Sequence, residues 1–190
     1  MNADRSLQIT NRQLPITGIS ISQTPEVIHV RSESPLKALS SAIVGGGFRR
    51  VHHLLNAYVD KDYNSMTPQA DLRALARRLG VSGAFVGLLT AVPLRKARLA
   101  FYHEDGLSVG ALITAGVGNA ASAGITQPYS YQAGTINIIL LLDADLTRSA
   151  MLNAFVTATE AKTAVLLSRS IPSRSGRAGA GRSRRATYGP

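Results

Sequence analysis

Two adjacent histidines, His52 and His53, carry side chains whose ordinary pKa suits proton transfer near neutrality. Adjacent side chains point apart on a helix or a strand, so this pair is not expected to chelate one metal ion. Either one of them is a general base, or one faces the core and the other solvent. Asp60, Asp62 and Asn64 lie near enough to orient an imidazole, or else form a solvated loop. Glu160 sits within VTATEAKTAVL, among small and apolar residues, with Asn153 and Thr157 on the same helical face at spacings of three and four. A carboxylate partly desolvated there has a raised pKa, useful to a general acid or base; the alternative is an exposed Glu160 beside Lys162. Asp143 and Asp145 stand where an apolar run ends. Ligand sites in open α/β sheets often lie at such strand ends, while Asp145 equally suits the start of the following helix.

Binding groups have their own signals. Thr114, Gly116 and Asn119 fall in a loop of small residues after an apolar strand, where backbone N–H groups suit an oxyanion or a carboxamide oxygen; a tight turn is the plainer reading. Asn137 interrupts an apolar strand, and a buried Asn needs partners, from a ligand or from the backbone. Gly45-Gly46-Gly47 marks a sharp turn or a close backbone approach. His103-Glu104-Asp105 before Gly106 reads as a turn rather than a metal site. The chain has no cysteine, which removes thiolate nucleophiles, disulfides and Cys-type zinc sites. It has no G-x-S-x-G elbow and no H-E-x-x-H helix.

The elements that must position these groups read as a mixture of strands and helices. Short strands are expected at 7–9, 18–22 and 27–30, with Ser34-Pro35 ending a segment. An apolar stretch, 36–48, stops at the glycine triplet. Residues 49–69 are polar and irregular, a short strand or turn flanked by loop. Thr67 as N-cap and Pro68 in the first turn open a helix over 68–79, and Gly80 stops it. Residues 84–92, 95–106 and 107–117 read as strands, the second running into a turn, and 118–124 as a loop. GTINIILLLDADL (134–146) is the clearest strand. Thr147 caps a helix over 148–168 with an apolar stripe of Met151, Leu152, Phe155, Val156 and Thr159. No βαβ repetition is consistent, so the fold class is α/β or α+β, a single domain over 1–168 with a mixed β-sheet packed by helices.

The net charge of +10 resembles a nucleic-acid signal, but its distribution does not. Residues 169–190 hold six arginines and no acid, leaving 15 basic against 11 acidic residues, or +4, in the body. This Arg/Gly/Ser-rich tail is expected to be disordered. Nucleic acid is an unfavoured partner, since the tail's one aromatic is Tyr188. MNADRSLQIT has neither the apolar run nor the cleavage site of a secretory signal, and the longest apolar run is too short to span a bilayer. A cytoplasmic protein with no membrane partner is expected.

Four segments in order, LSSAIVGGGF (39–48), VGLLTAV (86–92), TAGVGNAASAG (114–124) and GTINIILLLDADLTRSAMLNAFVTATEAKTAVL (134–166), resemble the adenosylcobinamide amidohydrolase family of cobalamin salvage. The intervening VHHLLNAYVDKDYNSMTPQADL looks like that family's polar central segment. The resemblance runs from about residue 36 to 167. It implies hydrolysis of the amide that joins aminopropanol to the propionyl arm of the corrin ring, giving adenosylcobyric acid. It implies a corrinoid as substrate and no separate redox cofactor; metal dependence and oligomeric state stay open. His52, His53, Asp143 and Glu160 are then the catalytic candidates. The candidate substrate-binding residues are Gly45, Gly46, Asn56 and Thr90, with Thr114, Gly116, Asn119 and Asn137. No residue is assigned to a metal. Family members usually continue past the long helix into a segment rich in Thr, Gly and Asp, where this chain carries its arginine-rich tail.

Overall fold

A computed structural model describes residues 12–121 and 135–171. Among them, eight strands form two sheets. The first runs β1 (Arg12–Gln13), β2 (Ile19–Gln23), β3 (Val27–Ser40), β4 (Gly47–Tyr58) and β5 (Phe85–Thr90), in that order. Its pairs are antiparallel except β4 with β5, which α1 (Pro68–Arg78) joins as a βαβ unit. The second sheet is an antiparallel meander of β6 (Arg98–Glu104), β7 (Leu107–Ala115) and β8 (Ile136–Leu142). The helix α2 (Arg148–Ser168) follows β8. The mixed sheet expected from the sequence is therefore present, with a second sheet beside it.

The strand β4 corrects the reading of 49–69 as mostly irregular. Leu54, Leu55, Asn56 and Ala57 are all buried. One face of β4 packs under α1 with Leu72, Leu75, Ala76 and Phe85. The other joins a core shared by both sheets, with Leu54 and Val86 against Leu112, Ile139 and Leu141. A strand covered on both faces loses the two-residue alternation that marks a half-exposed one. Similarly, β3 does not end at Ser34-Pro35. Its pairing with β4 shifts register between Arg31 and Leu36, a bulge that accommodates a residue unable to donate to the ladder.

Helix ends follow local chemistry. Thr147 Oγ1 accepts from Ala150 N–H at 3.2 Å, the expected N-cap of α2. Thr67 occupies the N-cap position of α1, but its side chain makes no capping bond; its carbonyl takes the amides of Ala70 and Asp71. At the other end Gly80, at φ 68°, lets its own N–H reach Arg77 O and that of Val81 reach Ala76 O, a Schellman closure. The hairpin between β6 and β7 turns on Asp105 and Gly106, both at positive φ, as the Asp-Gly pair favours. No helix among the described residues is long and apolar enough to cross a membrane. The strand expected at 7–9 and residues 172–190 of the basic tail lie outside the described residues, as does the loop beyond residue 121.

Candidate functional site

A cleft of about 890 Å³ lies between α2 and the strands β3, β5 and β8. This is within the size range of small-molecule sites. Its sheet side offers Leu36, Val86, Leu88, Ile138 and Leu140, and its helix side Met151, Phe155 and Thr159. Polar groups enter at Thr90, Asn137, Ser40, Ser41, Lys37 and Lys162. No residue of α2 is fully buried, and Leu152 and Val156, expected on its packing stripe, are 51% and 54% exposed. The helix roofs the cleft loosely, with Met151, Ala154 and Ala158 half-buried on the cleft side and Phe155 there still 43% exposed.

Beside the cleft lies a buried polar cluster that draws on four strands. Asn137 Nδ2 donates to Asn56 Oδ1 at 2.8 Å and to Leu89 O at 2.9 Å. Asn56 Nδ2 donates to Thr114 Oγ1 at 3.1 Å, and Thr135 Oγ1 donates to Asn137 Oδ1 at 3.3 Å. Thr114 and Asn137 are cross-strand partners in the second sheet, while Asn56 belongs to the first. The cluster ties β4 and β5 to β7 and β8. No side-chain polar atom buried among the described residues lacks a partner. Thr90 is buried at the carboxyl end of β5, where its Oγ1 accepts from Val92 N–H and shapes the turn.

The catalytic candidates do not converge. His52 is exposed, and its Nδ1 lies 3.0 Å from Ser32 O. A carbonyl only accepts, so in the neutral ring Nδ1 carries the proton and Nε2 is left with its lone pair. His53 pairs instead with His29 of β3, Nδ1 to Nε2 at 2.9 Å. Burial lowers the pKa of both imidazoles. For His29 the charges of His53 and Arg31 add to the effect, and for His53 those of Arg31 and His52. Asp60 accepts from Tyr58 Oη rather than from a histidine. Asp143 is exposed at the end of β8, its N–H bound to Ser108 O. Glu160 is exposed on α2 and does not line the cleft, which is the alternative reading of an exposed Glu160 beside Lys162 and not the desolvated one. Asp145 pairs with Lys37 at the cleft; that hydrogen bond and charge, with Arg50 adding, hold its carboxyl below the usual range.

The glycines are positioned by close approach. Gly45 has φ 76°, and a Cβ there would run into the Phe85 carbonyl; Val44 and Gly87 bridge this loop to β5. Gly46 sits against the Ala42 carbonyl, where a Cβ would lie 3.0 Å from the oxygen. Gly116 N–H donates to Thr135 O, closing the end of the β7–β8 ladder, and Asn119 is half-buried in the turn that follows. Of the twelve candidates, Thr90 and Asn137 line the cleft, Asn56 and Thr114 back it, and Gly45 lines a smaller pocket. His29, the Lys37–Asp145 pair and Ser40–Ser41 were not among them. No group of three or more His, Asp or Glu side chains among the described residues is placed to hold a metal ion.

Comparison with known proteins agrees with the sequence motifs. The family profile for adenosylcobinamide amidohydrolase matches residues 12–181, wider at both ends than the stretch whose motifs carry the resemblance. An adenosylcobinamide amidohydrolase of Methanosarcina mazei is 38% identical over 131 residues. That match covers 69% of this chain and 60% of the relative. No solved structure matches.

Proposed function

The chain belongs to the adenosylcobinamide amidohydrolase family, and from that premise we propose that it hydrolyses the amide between aminopropanol and the propionyl arm of adenosylcobinamide, releasing adenosylcobyric acid. The observation that carries the reading is the family match, which spans nearly the whole chain. The cleft under α2 supports it. A space of about 890 Å³ suits a drug-sized group. The reading therefore seats the side arm inside and leaves the corrin ring at the mouth. Its apolar walls exclude water from the arm, and Thr90 and Asn137 offer polar groups to its amide.

Amide hydrolysis needs a proton acceptor for the attacking water and donors for the oxyanion. Among the catalytic candidates, His52 has the protonation geometry of a base, since Ser32 O fixes its proton on Nδ1 and bares Nε2. With the Gly116 N–H taken by Thr135 O, the residues after it, 117–119, are the proposed source of oxyanion or carboxamide contacts. None of the four catalytic candidates lines the cleft; His52 ranks first for its bared Nε2, whereas His53 is engaged with His29 and Asp143 and Glu160 are exposed carboxylates. A cytoplasmic setting is part of the reading, and the absence of cysteine fits a reducing compartment. Incubating the purified protein with adenosylcobinamide, with and without added divalent metal, tests the activity. Chromatography and mass analysis should show adenosylcobyric acid; recovery of intact substrate alone under both conditions overturns the proposal.

A further inference from the structure

Where the glycine triplet meets the start of β5, a second pocket of about 230 Å³ opens. Its wall is made by Val44, Gly45, Arg49, Arg73, Gly83, Ala84 and Phe85. Two features of that wall are chemically specific. Arg49 comes from β4 and Arg73 from α1, and neither forms an ion pair among the described residues. No carboxylate lines the pocket. Asp71, the acid of α1, accepts from the Tyr63 hydroxyl. Gly45 and Gly83 both take left-handed backbone conformations, at φ 76° and 79°. With no side chain at either position, the wall there is main chain, and turns of this kind present N–H groups to anions.

We propose that this pocket binds a phosphate-type tetrahedral anion, either the free ion or the phosphoryl group of a small molecule. Two arginines that line one small pocket with no carboxylate give it a positive potential that an anion would offset. A carboxylate offers two oxygens in one plane and is satisfied by a single guanidinium fork, whereas a tetrahedral anion presents oxygens to donors on several sides. The pocket is too small for a corrinoid. It is also separate from the cleft: the loop through Ser41–Ile43 lines the cleft, and Val44–Gly45 lines the pocket. This site does not depend on the amidohydrolase reading.

The test is calorimetric titration of the full chain with inorganic phosphate, and in parallel with glycerol phosphate, at constant ionic strength set by chloride. Both arginines are exposed, so Arg49→Gln and Arg73→Gln should retain the wild-type circular dichroism. Saturable 1:1 binding weakened at least tenfold by either substitution, and unaffected by R184Q/R185Q in the basic tail, is the expected result. Tighter binding of glycerol phosphate than of phosphate assigns the site to a phosphorylated ligand, and the reverse order assigns it to the free ion. Absence of saturable binding, wild-type affinity in the two pocket variants, or loss only with the tail substitutions overturns the proposal.

Discussion

Replacing Asn137 with leucine removes one of the two side-chain donors that join the two sheets. In Asn137→Leu, the branched shape is kept, but Asn56 Oδ1 and Leu89 O lose bonds of 2.8 and 2.9 Å. Asn137 is 7% exposed and Asn56 1%, so water has little access to replace them. A stranded buried acceptor costs roughly 1–3 kcal/mol, which puts the loss for two at about 4 kcal/mol. Single domains are stable by about 5–15 kcal/mol, so the variant should fold but be visibly weakened. With a urea slope of about 2 kcal/mol per molar, the midpoint should fall by about 2 M. The chain has no tryptophan, so far-ultraviolet circular dichroism is the suitable probe. The companion Asn56→Leu and the double substitution complete a cycle. Because the two side chains share a bond, the double variant should lose at least about 1 kcal/mol less than the sum of the singles. A loss below about 1 kcal/mol for Asn137→Leu, or strict additivity, would refute the view that this cluster holds the sheets together.

Other perturbations separate strain from packing and fix the histidine pair. Gly45→Ala should cost about 3 kcal/mol or more, since left-handed strain of roughly 1–3 kcal/mol adds to the clash with the Phe85 carbonyl; Gly47→Ala, at φ 78° with open space around it, should cost only about 1 kcal/mol, and denaturant titration compares them. His29 and His53 titrate below the 6.5 of an unperturbed imidazole, so below that pH the unfolded chain binds more protons than the folded one. The pair's contribution is therefore fully present above about pH 6.5 and lost as pH falls. Melting temperature should drop between about pH 7.5 and 5.5, and less so in His29→Gln; an unchanged slope in that variant would rule the pair out as the cause.

Legibility in the sequence tracked how local each signal was. The helix α2 was readable to its first residue, because Thr147 caps it through a bond to Ala150 only three positions away. The strands β7 and β8 were readable from β-branched and apolar runs, and α1 from Pro68 and the spacing of its leucines. In contrast, β4 hid its nature because Leu54 to Ala57 are buried on both faces, and Pro35 marked a bulge where it looked like an end. The candidate site divides the same way. Asn137 announced itself as a polar break in an apolar run. Its partner Asn56, 81 positions away, had no local sign of that pairing, and neither did the bond from Asn56 to Thr114, 58 positions away. His29, a single histidine in a β-branched strand, gave no hint that it faces His53 until β3 and β4 were in register. The apolar stripe on α2 was real as a pattern, but only part of it meets the sheets, since burial depends on what stands opposite.

The proposed activity is cleavage of the adenosylcobinamide amide by water. The most direct measurement runs the reaction in water enriched in heavy oxygen and follows both products by mass. One heavy oxygen should appear in the new carboxylate of adenosylcobyric acid and none in the released aminopropanol, as attack of water on the carbonyl requires. Recovery of unreacted adenosylcobinamide, or acid formed without the label, would contradict the account.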